Sequence, residues 1–247
     1  MPWQAATFPP TWRDRICVAH DGIDTDVLCP DPDVRFPLPG GARTLTRDDE
    51  VITYVARNLE PYRGIHVLMR ALPALLRERP NAQVLLVGGE ETGYGAAAPA
   101  GRTWREVFCS EVQDQMSEAD WARVHFLGRL EREAFTRLLQ VSRVHVYLTY
   151  PFVLSWSLLE AMSVGAAIVA SDTAPVREVI APGETGRLVD FFDGTGLVRS
   201  IGSLMDDAAE RLRLGTAARA FARSHYDLSR VCLPQQLAWV HSLSAGL

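Results

Sequence analysis

The chain has 247 residues, of which 47% are hydrophobic and 22% are charged. That composition is ordinary for a folded globular protein and excludes an intrinsically disordered chain. Acidic residues number 30 and basic residues 25, so the net charge is −5. A sequence-independent nucleic-acid binder needs a basic surface, and we therefore expect no nucleic-acid partner.

Signals for export, membrane insertion and metal binding are absent from the sequence. The first five residues form neither a basic n-region nor an apolar h-region, and the longest run without a polar side chain, residues 164–170, is far too short to cross a bilayer. These features predict a cytoplasmic protein. The four cysteines, at positions 17, 29, 109 and 232, form no CxxC pair and no zinc-ligand spacing with a histidine, so we predict no metal site.

Residues 1–48 differ in composition from the rest of the chain. They hold seven of the fifteen prolines and one clear apolar stretch, residues 16–19. This pattern predicts an extended linker with one short strand.

From residue 51 onward, short β-branched runs alternate with amphipathic segments. The runs predict strands at residues 51–56, 84–87, 124–127, 144–148, 167–170 and 187–189. Apolar residues three and four apart predict helices at residues 65–76 and 135–139, and the end of the chain predicts helices at 211–225 and 228–243 with a break at 226–227. Continuous apolar strands suit a sheet that is covered on both faces, and the strand–helix alternation predicts a doubly wound parallel sheet.

Ligands bind such sheets beyond the carboxyl ends of the strands. Arg57 and Arg63 follow the first predicted strand, and Gly64 opens the next helix. Fixed positive charge beside a helix N-terminus favours a phosphate group, whereas the alternative is that both arginines only solvate a loop. Gly88 and Gly89 end the second strand, where they either let a ligand approach the backbone or form a turn.

The segment after the fourth strand carries the second set of candidate residues. Pro151 ends the strand, and a helix is predicted to begin near Ser155, with Ser155 or Ser157 as its N-cap. Glu160 then lies within an apolar helix, where a carboxylate needs partners. The 2′- and 3′-hydroxyls of a ribose can donate two hydrogen bonds to it. The alternative is an exposed glutamate that pairs with a nearby arginine.

Five motifs together resemble the carboxyl-terminal, donor-binding half of retaining glycosyltransferases of the GT-B fold, family 4. They are Arg57-x5-Arg63-Gly64 and residues 126–129, 158–165, 178–180 and 183–189. The resemblance covers about residues 16–228 and implies an α/β, Rossmann-like parallel sheet that forms one half of a GT-B fold. It also implies a division into a linker and remnant of an amino-terminal acceptor domain (1–48), a nucleotide-sugar donor-binding domain (49–228) and a C-terminal helix (229–247).

The resemblance implies roles for specific side chains. Arg57 and Arg63, the second in place of the family's usual lysine, would be the catalytic groups that stabilise the donor's diphosphate. The remaining donor contacts fall on Gly88, Gly89, Arg129, Leu130, Ser155, Ser157 and Glu160. Glu160 would bind the ribose hydroxyls, and main chain around residues 129–130 would bind the base. Gly88, Gly89 and the helix start near Ser155 would border the pyrophosphate and the sugar. No metal or cofactor is implied, because fixed arginines and helix dipoles can stabilise the departing nucleoside diphosphate.

Two departures from the family pattern bear on activity. Phe152 stands where the family usually has the first glutamate of an E-x7-E pair, and an amino-terminal acceptor-binding domain is expected to be missing. The resemblance therefore implies the donor half of a metal-independent, retaining hexosyltransferase that is inactive without its other domain. The alternatives are a non-catalytic nucleotide-sugar-binding subunit that acts with a separate acceptor-domain chain and, third, a GT-B sugar-nucleotide epimerase. Membrane contact is a weaker hypothesis that the resemblance leaves open: many family members touch lipid-linked acceptors through the first domain, and no basic amphipathic segment of this chain requires it.

Overall fold

The computed structural model describes residues 1–41, 43–99 and 101–244. Within these residues the chain forms an α/β fold around a parallel sheet, as the strand–helix alternation predicts. Eight strands are present: β1 (Phe36–Pro37), β2 (Thr44–Leu45), β3 (Val51–Asn58), β4 (Gln83–Gly89), β5 (Val124–Gly128), β6 (Val144–Tyr147), β7 (Ala167–Ser171) and β8 (Arg187–Val189). Strands β1 and β2 form a small antiparallel hairpin, and the other six form the main sheet.

The order of strands in the main sheet is β5-β4-β3-β6-β7-β8, and every neighbouring pair is parallel. From β3 the chain first builds one side of the sheet through β4 and β5, and then returns to β6 on the other side of β3. The strand order therefore reverses between β3 and β6. In open parallel sheets this reversal opens a crevice at the carboxyl ends of the strands.

Helices connect and cover the strands. They are α1 (Pro2–Ala6), α2 (Pro10–Arg13), α3 (Ile65–Glu78), α4 (Trp104–Val112), α5 (Glu118–Trp121), α6 (Arg132–Val141), α7 (Trp156–Ser163), α8 (Ala174–Arg177), α9 (Gly194–Asp206), α10 (Ala208–Tyr226) and α11 (Leu233–Ser244). Short turns of tighter or wider helix lie at Pro39–Gly41, Pro61–Arg63, Gln113–Gln115 and Leu228–Cys232.

Two hydrophobic cores lie on opposite faces of the sheet. Alternate strand residues such as Ile52 and Val146 pack against α3, α4 and α9. The opposite face, which includes Leu85 and Ile168, packs against α6, α7 and α10. Because both faces are covered, the central strands are mostly apolar, and this is why their positions are readable from the sequence.

The amino-terminal segment differs from its predicted form. Residues 16–19 are not a strand, and the predicted linker contains the two short helices α1 and α2 and the β1–β2 hairpin. Residues 16–19 are exposed or half-buried and pair with no strand of the sheet. By contrast, Leu28, Phe36 and Leu45 are buried in the second core. Part of residues 1–48 therefore packs as an integral part of the folded unit.

The C-terminal segment follows the predicted break. Helix α10 ends at Tyr226, Asp227 forms a bridge with Ile23, and a wide helical turn leads into α11. None of the α11 side chains is buried. Residues 245–247 of the predicted C-terminal helix lie outside the described residues. Among the described residues, no helix has the length and apolar character needed to cross a membrane.

The sheet interior holds a histidine whose protonation opposes folding. His145 is fully buried opposite Thr53, and its Nδ1 lies 2.8 Å from the Thr53 hydroxyl oxygen. Burial lowers the pKa of His145 to about 3. Burial is also the main cause of the lowered pKa values of His20, His66 and His125. In the unfolded chain an imidazole has a pKa near 6.5, so the unfolded state binds more protons between about pH 3 and 6.5.

We therefore expect stability to fall as the pH falls below 6.5. His145 alone should lower the free energy of unfolding by about 2 kcal/mol between pH 7 and pH 5. Urea denaturation at several pH values measures this slope, and His145→Gln should make it shallower by about one proton. An unchanged slope in His145→Gln would contradict the assignment.

Candidate functional site

A cavity of about 360 Å³ opens at the carboxyl ends of β3, β4 and β6, where the strand order reverses. It is lined by Val55, Ala56, Arg57, Val87, Gly88, Arg129, Leu130, Phe135, Ser155, Trp156, Ser157 and Glu160. We refer to these residues as the switch-point crevice. Seven of the nine predicted site residues line the crevice, and Arg63 and Gly89 do not.

Arg57 supplies a free positive charge to the crevice. It lies near the end of β3, and its side chain is exposed. Within the described part of the chain it lies within 4 Å of no carboxylate and makes no side-chain hydrogen bond, in contrast to Arg129 and Arg132 beside it. An unpaired guanidinium at a crevice wall is available to an anionic ligand.

Glu160 is both buried and paired. It lies in the second turn of α7 with 6% of its surface exposed, and its Oε1 accepts a hydrogen bond from Arg132 Nη1 at 2.5 Å. The side chain of Arg132 is 56% exposed, so solvent reaches one partner of the ion pair. Each of the two sequence-based alternatives for Glu160 is therefore met in part. An arginine partner is present, and the carboxylate still lines the crevice where a ligand could reach it. Its Oε2 makes no hydrogen bond with the described residues and can accept one from a ligand.

The N-terminus of α7 faces the same space. Ser155 is the N-cap: its hydroxyl accepts from the Ser157 N–H at 3.4 Å and lies 2.9 Å from the Ser157 hydroxyl. The first N–H groups of a helix carry partial positive charge that favours anions. The predicted start of this helix and its predicted cap are confirmed.

Arg63 lies behind the crevice wall. It is buried, and its Nη1 donates to the Thr149 hydroxyl at 3.1 Å, the Val153 carbonyl at 3.2 Å and the Tyr147 hydroxyl at 3.4 Å. Its guanidinium also stands 5.1 Å from the ring centre of Phe152. Arg63 therefore holds the segment that leads into α7, and its direct contact with a diphosphate stays a prediction.

Tyr147 links Arg63 to the crevice. Its hydroxyl accepts both from Arg63 and from the Ser155 N–H, the latter at 2.9 Å. Burial, partly opposed by the charge of Arg63, raises the pKa of Tyr147. The tyrosine thus stays a neutral phenol that orients the N-cap of α7.

The glycines at the end of β4 are explained by packing. A Cβ on Gly88 would lie 2.9 Å from the Ala56 carbonyl oxygen, and a Cβ on Gly89 would lie 2.6 Å from Asn58 Oδ1. The β3 backbone at Ala56 and the Asn58 side chain therefore leave no room for a Cβ at Gly88 and Gly89 unless they shift. Gly88 also lines the crevice, so both sequence-based alternatives, a close backbone approach and a turn, remain open for it.

The loops after β4 and β5 are connected through charged side chains. Arg129 Nη2 donates to Glu91 Oε2 at 2.6 Å, and Leu130 lines the crevice beside it. The buried carboxylate of Glu60 accepts from the N–H groups of Gly93, Tyr94 and Gly95 at 3.0–3.3 Å. These contacts order the loop that follows β4 next to the crevice.

Three crevice features escaped sequence reasoning: the ion pair of Arg132 with Glu160, the tyrosine at position 147, and the indole of Trp156. Arg132 and Glu160 are 28 residues apart on different helices, so no local spacing connects them. Trp156 follows the predicted N-cap directly and is 53% exposed. A large exposed aromatic residue at a helix start was the one available signal.

Comparison with known proteins assigns the family. The model of the family described as glycosyl transferases group 1 matches residues 42–221. The chain belongs to this family. The phosphatidyl-myo-inositol mannosyltransferase of Mycolicibacterium smegmatis is 31% identical over 191 residues, which cover 75% of this chain and 43% of the mannosyltransferase.

Solved structures of glycosyltransferases share the fold. The sucrose-phosphate synthase of Thermosynechococcus elongatus matches with a TM-score of 0.77 at 22% identity, over 98% of this chain and 57% of that one. Anabaena HepE, solved in complex with UDP and glucose, matches with a TM-score of 0.69 at 19% identity, over 93% and 57%. The predicted Rossmann-like fold of a GT-B glycosyltransferase domain is thereby confirmed. The chain spans about half the length of the relatives that it matches.

Proposed function

We propose that the chain is the donor-binding half of a retaining, metal-independent hexosyltransferase, and that the switch-point crevice holds a nucleotide sugar. One observation carries the proposal: an unpaired arginine, a buried glutamate and a helix N-terminus meet in one crevice at the strand-order reversal. Membership of the glycosyl transferases group 1 family supports it.

The diphosphate fits the positive side of the crevice. Arg57 is unpaired, and the α7 N-terminus adds partial positive charge close by. When the sugar leaves, negative charge develops on the nucleoside diphosphate, and fixed guanidinium and N–H groups stabilise it without rearranging. Arg63 adds an unneutralised charge one layer behind and keeps the α7 N-cap in place through Tyr147.

The ribose fits Glu160. Oε1 is already held by Arg132, which fixes the carboxylate and leaves Oε2 for a hydroxyl of the ligand. Main chain at Arg129 and Leu130 then borders the base. Anabaena HepE binds UDP and UDP-glucose, and its shared fold supports a nucleotide sugar as the ligand of this chain.

Phe152 does not line the crevice, but it lies three residues before Ser155 in an aromatic cluster. Phe152 lies where the family pattern has a glutamate, and its ring packs 4.9 Å from that of Tyr94 and 5.3 Å from that of Tyr62. We infer that the hexose contacts an apolar ring here in place of a carboxylate. Selection among sugars would then depend on shape more than on hydrogen bonds.

An acceptor-binding domain would complete the enzyme. Helix α11 presents Leu233, Leu237, Trp239 and Val240, which are all 43–51% exposed. An exposed apolar face of this kind marks a surface for another domain or chain. We propose that the acceptor domain contacts α11 and that the assembled enzyme is cytoplasmic.

Isothermal titration with UDP and GDP tests donor binding. We expect saturable binding of at least one of them, at least about tenfold tighter than binding of the matching nucleoside, because the diphosphate contributes charge-assisted hydrogen bonds. Absence of binding to every nucleoside diphosphate, or equal affinity for the nucleosides, would overturn the proposal.

The second candidate is a non-catalytic nucleotide-sugar-binding subunit that works with a separately encoded acceptor-domain chain. The Phe152 substitution and the exposed face of α11 favour it. Co-purification with a second Rossmann-type chain, together with nucleotide binding but no transfer by the complex, would select this candidate over the hexosyltransferase.

A further inference from the structure

A second cavity, of about 380 Å³, lies at the opposite edge of the sheet. Its lining includes residues 47–48, a few residues before β3, residues 141–143, directly before β6, and residues 164, 165 and 167 at the start of β7. The first turns of α10 close it from the side. Since it lies at the amino ends of the strands, it is separated from the switch-point crevice by the length of the sheet.

Four arginines line this cavity: Arg47, Arg143, Arg211 and Arg219. Within the described residues none of them lies within 4 Å of a carboxylate, whereas twelve other arginines do. The one carboxylate in the lining is that of the exposed Asp48. This is a concentration of positive charge in a chain whose net charge is −5.

Main-chain carbonyls orient three of these guanidinium groups. Arg143 Nη2 donates to the Asp48 carbonyl at 2.6 Å, and Arg211 Nη1 donates to the Met205 carbonyl at 2.6 Å. Arg219 Nη1 donates to the Leu28 carbonyl at 3.1 Å. Carbonyl oxygens fix the side chains but do not neutralise them, so the positive charge of the cavity remains.

Not every N–H group of these arginines has a hydrogen-bond acceptor. Arg143 Nε is buried and has no hydrogen-bond partner in the described structure. Burial, followed by the charge of Arg143, lowers the pKa of Arg211. The carboxylates of Asp206, Asp207 and Glu50 act on Arg211 from beyond salt-bridge distance. Like charges held close together repel each other, and an anion in the cavity would offset this repulsion.

The walls of the cavity restrict the ligand to a small one. The turn after α7 contacts α10 backbone to backbone, since a Cβ on Gly215 would lie only 2.2 Å from the Gly165 carbonyl oxygen. Buried Val141, Val164 and Ala167 form further parts of the lining. This geometry suits a compact anion in a recess and does not suit a flat lipid surface or a polymer.

We infer that this cavity, the arginine cavity, is a binding site for a small phosphate-bearing anion, separate from the donor site. Phosphate oxygens suit arginine side chains, because guanidinium groups bind phosphate in bidentate fashion. The proposal does not depend on the nucleotide-sugar assignment.

Titration of the full chain with inorganic phosphate at low ionic strength tests the proposal. The Arg57→Ala background removes the unpaired cation of the switch-point crevice, so any remaining saturable binding reports on the arginine cavity. Arg47→Glu should weaken this binding on the order of tenfold or more, because a charge-assisted contact is replaced by repulsion. Arg47 is exposed and its side chain makes no hydrogen bond in the described structure, so the fold should be retained.

Arg77→Glu is the matched control, since Arg77 is an exposed arginine on α3 that does not line the cavity. Arg143→Gln removes the positive charge of a second lining arginine and should also weaken phosphate binding. Tungstate soaked into crystals should place its anomalous signal between Arg143 and Arg211.

Three results would overturn the inference. Arg47→Glu could bind phosphate as tightly as its parent, or Arg77→Glu could lose as much phosphate affinity as Arg47→Glu. Arg57→Ala could also abolish all phosphate binding. The chain could also sediment with phosphatidylserine vesicles. If Arg47→Glu abolished that sedimentation, a lipid headgroup would replace the small anion as the ligand.

Discussion

Replacement of both Arg57 and Glu160 by alanine should lower the affinity for UDP or GDP by about a thousandfold. Each side chain is expected to contribute about 2 kcal/mol through charge-assisted hydrogen bonds, and about 4 kcal/mol corresponds to roughly three powers of ten in affinity. Isothermal titration measures the loss, and thermal unfolding of the variants confirms that they remain folded.

The two single variants separate the contacts. Arg57→Ala should weaken UDP but leave uridine binding nearly unchanged, because Arg57 is assigned to the diphosphate. Glu160→Ala should weaken UDP but not 2′,3′-dideoxy-UDP, because Glu160 is assigned to the ribose hydroxyls. Similar losses with the shortened ligands would show that these side chains act elsewhere.

The chain offers a matched control for this pair. Glu133 and Arg137 form a salt bridge one turn apart on α6, with side chains 80% and 49% exposed, and neither lines the switch-point crevice. Alanine at both positions removes the same two side-chain types from the surface. UDP affinity should not change, and a comparable loss would mean that net charge, and not the crevice, governs binding.

Alanine at Gly64 should destabilise the fold by about 3 kcal/mol and lower the melting temperature by about 6–12 °C. Gly64 has φ +74°, and a Cβ there would lie 2.4 Å from Leu148 Cβ and 3.0 Å from a ring carbon of Phe191. The left-handed backbone costs about 1 kcal/mol for alanine, and the overlap at the end of β6 accounts for the rest.

Gly183→Ala isolates the backbone contribution. Gly183 has φ +76°, almost the same as Gly64, but no atom of the described residues lies within 4 Å of the added Cβ. Its variant should lose only about 1 kcal/mol. Differential scanning calorimetry of both variants measures the difference, and equal melting temperatures would show that the tight contact between Gly64 and Leu148 is not a constraint on the fold.

Local sequence pattern was sufficient for the sheet but not for the amino-terminal segment. All six predicted strands are present, with ends shifted by at most two residues, because the four central strands are mostly apolar runs buried on both faces and the two edge strands, β5 and β8, are half-buried apolar runs. Residues 16–19 have a similar apolar character, but they form no strand and stay exposed or half-buried. Phe36 and Leu45 pair in a hairpin that depends on packing against the second core.

The candidate site was likewise predictable only in part. Arg57 and Glu160 could be placed in one crevice from the sequence, because the carboxyl ends of parallel strands share an edge and the motif order resembles a known family. The partner of Glu160 and the surroundings of Arg63 could not, because they depend on a side chain 28 residues away and on side-chain and main-chain groups 84–90 residues away along the chain.

The sequence by itself therefore determined the layered α/β architecture, the family and the edge of the sheet where the candidate residues gather. These follow from periodicity, burial and motif order, which are local properties of the chain. Only the tertiary structure decided which charges are neutralised: Arg132 pairs with Glu160, Arg57 stays unpaired, and four arginines distant in sequence meet at the opposite edge. The physical reason is that the free energy of a charge depends on its neighbours within a few ångströms, and folding alone brings those neighbours together.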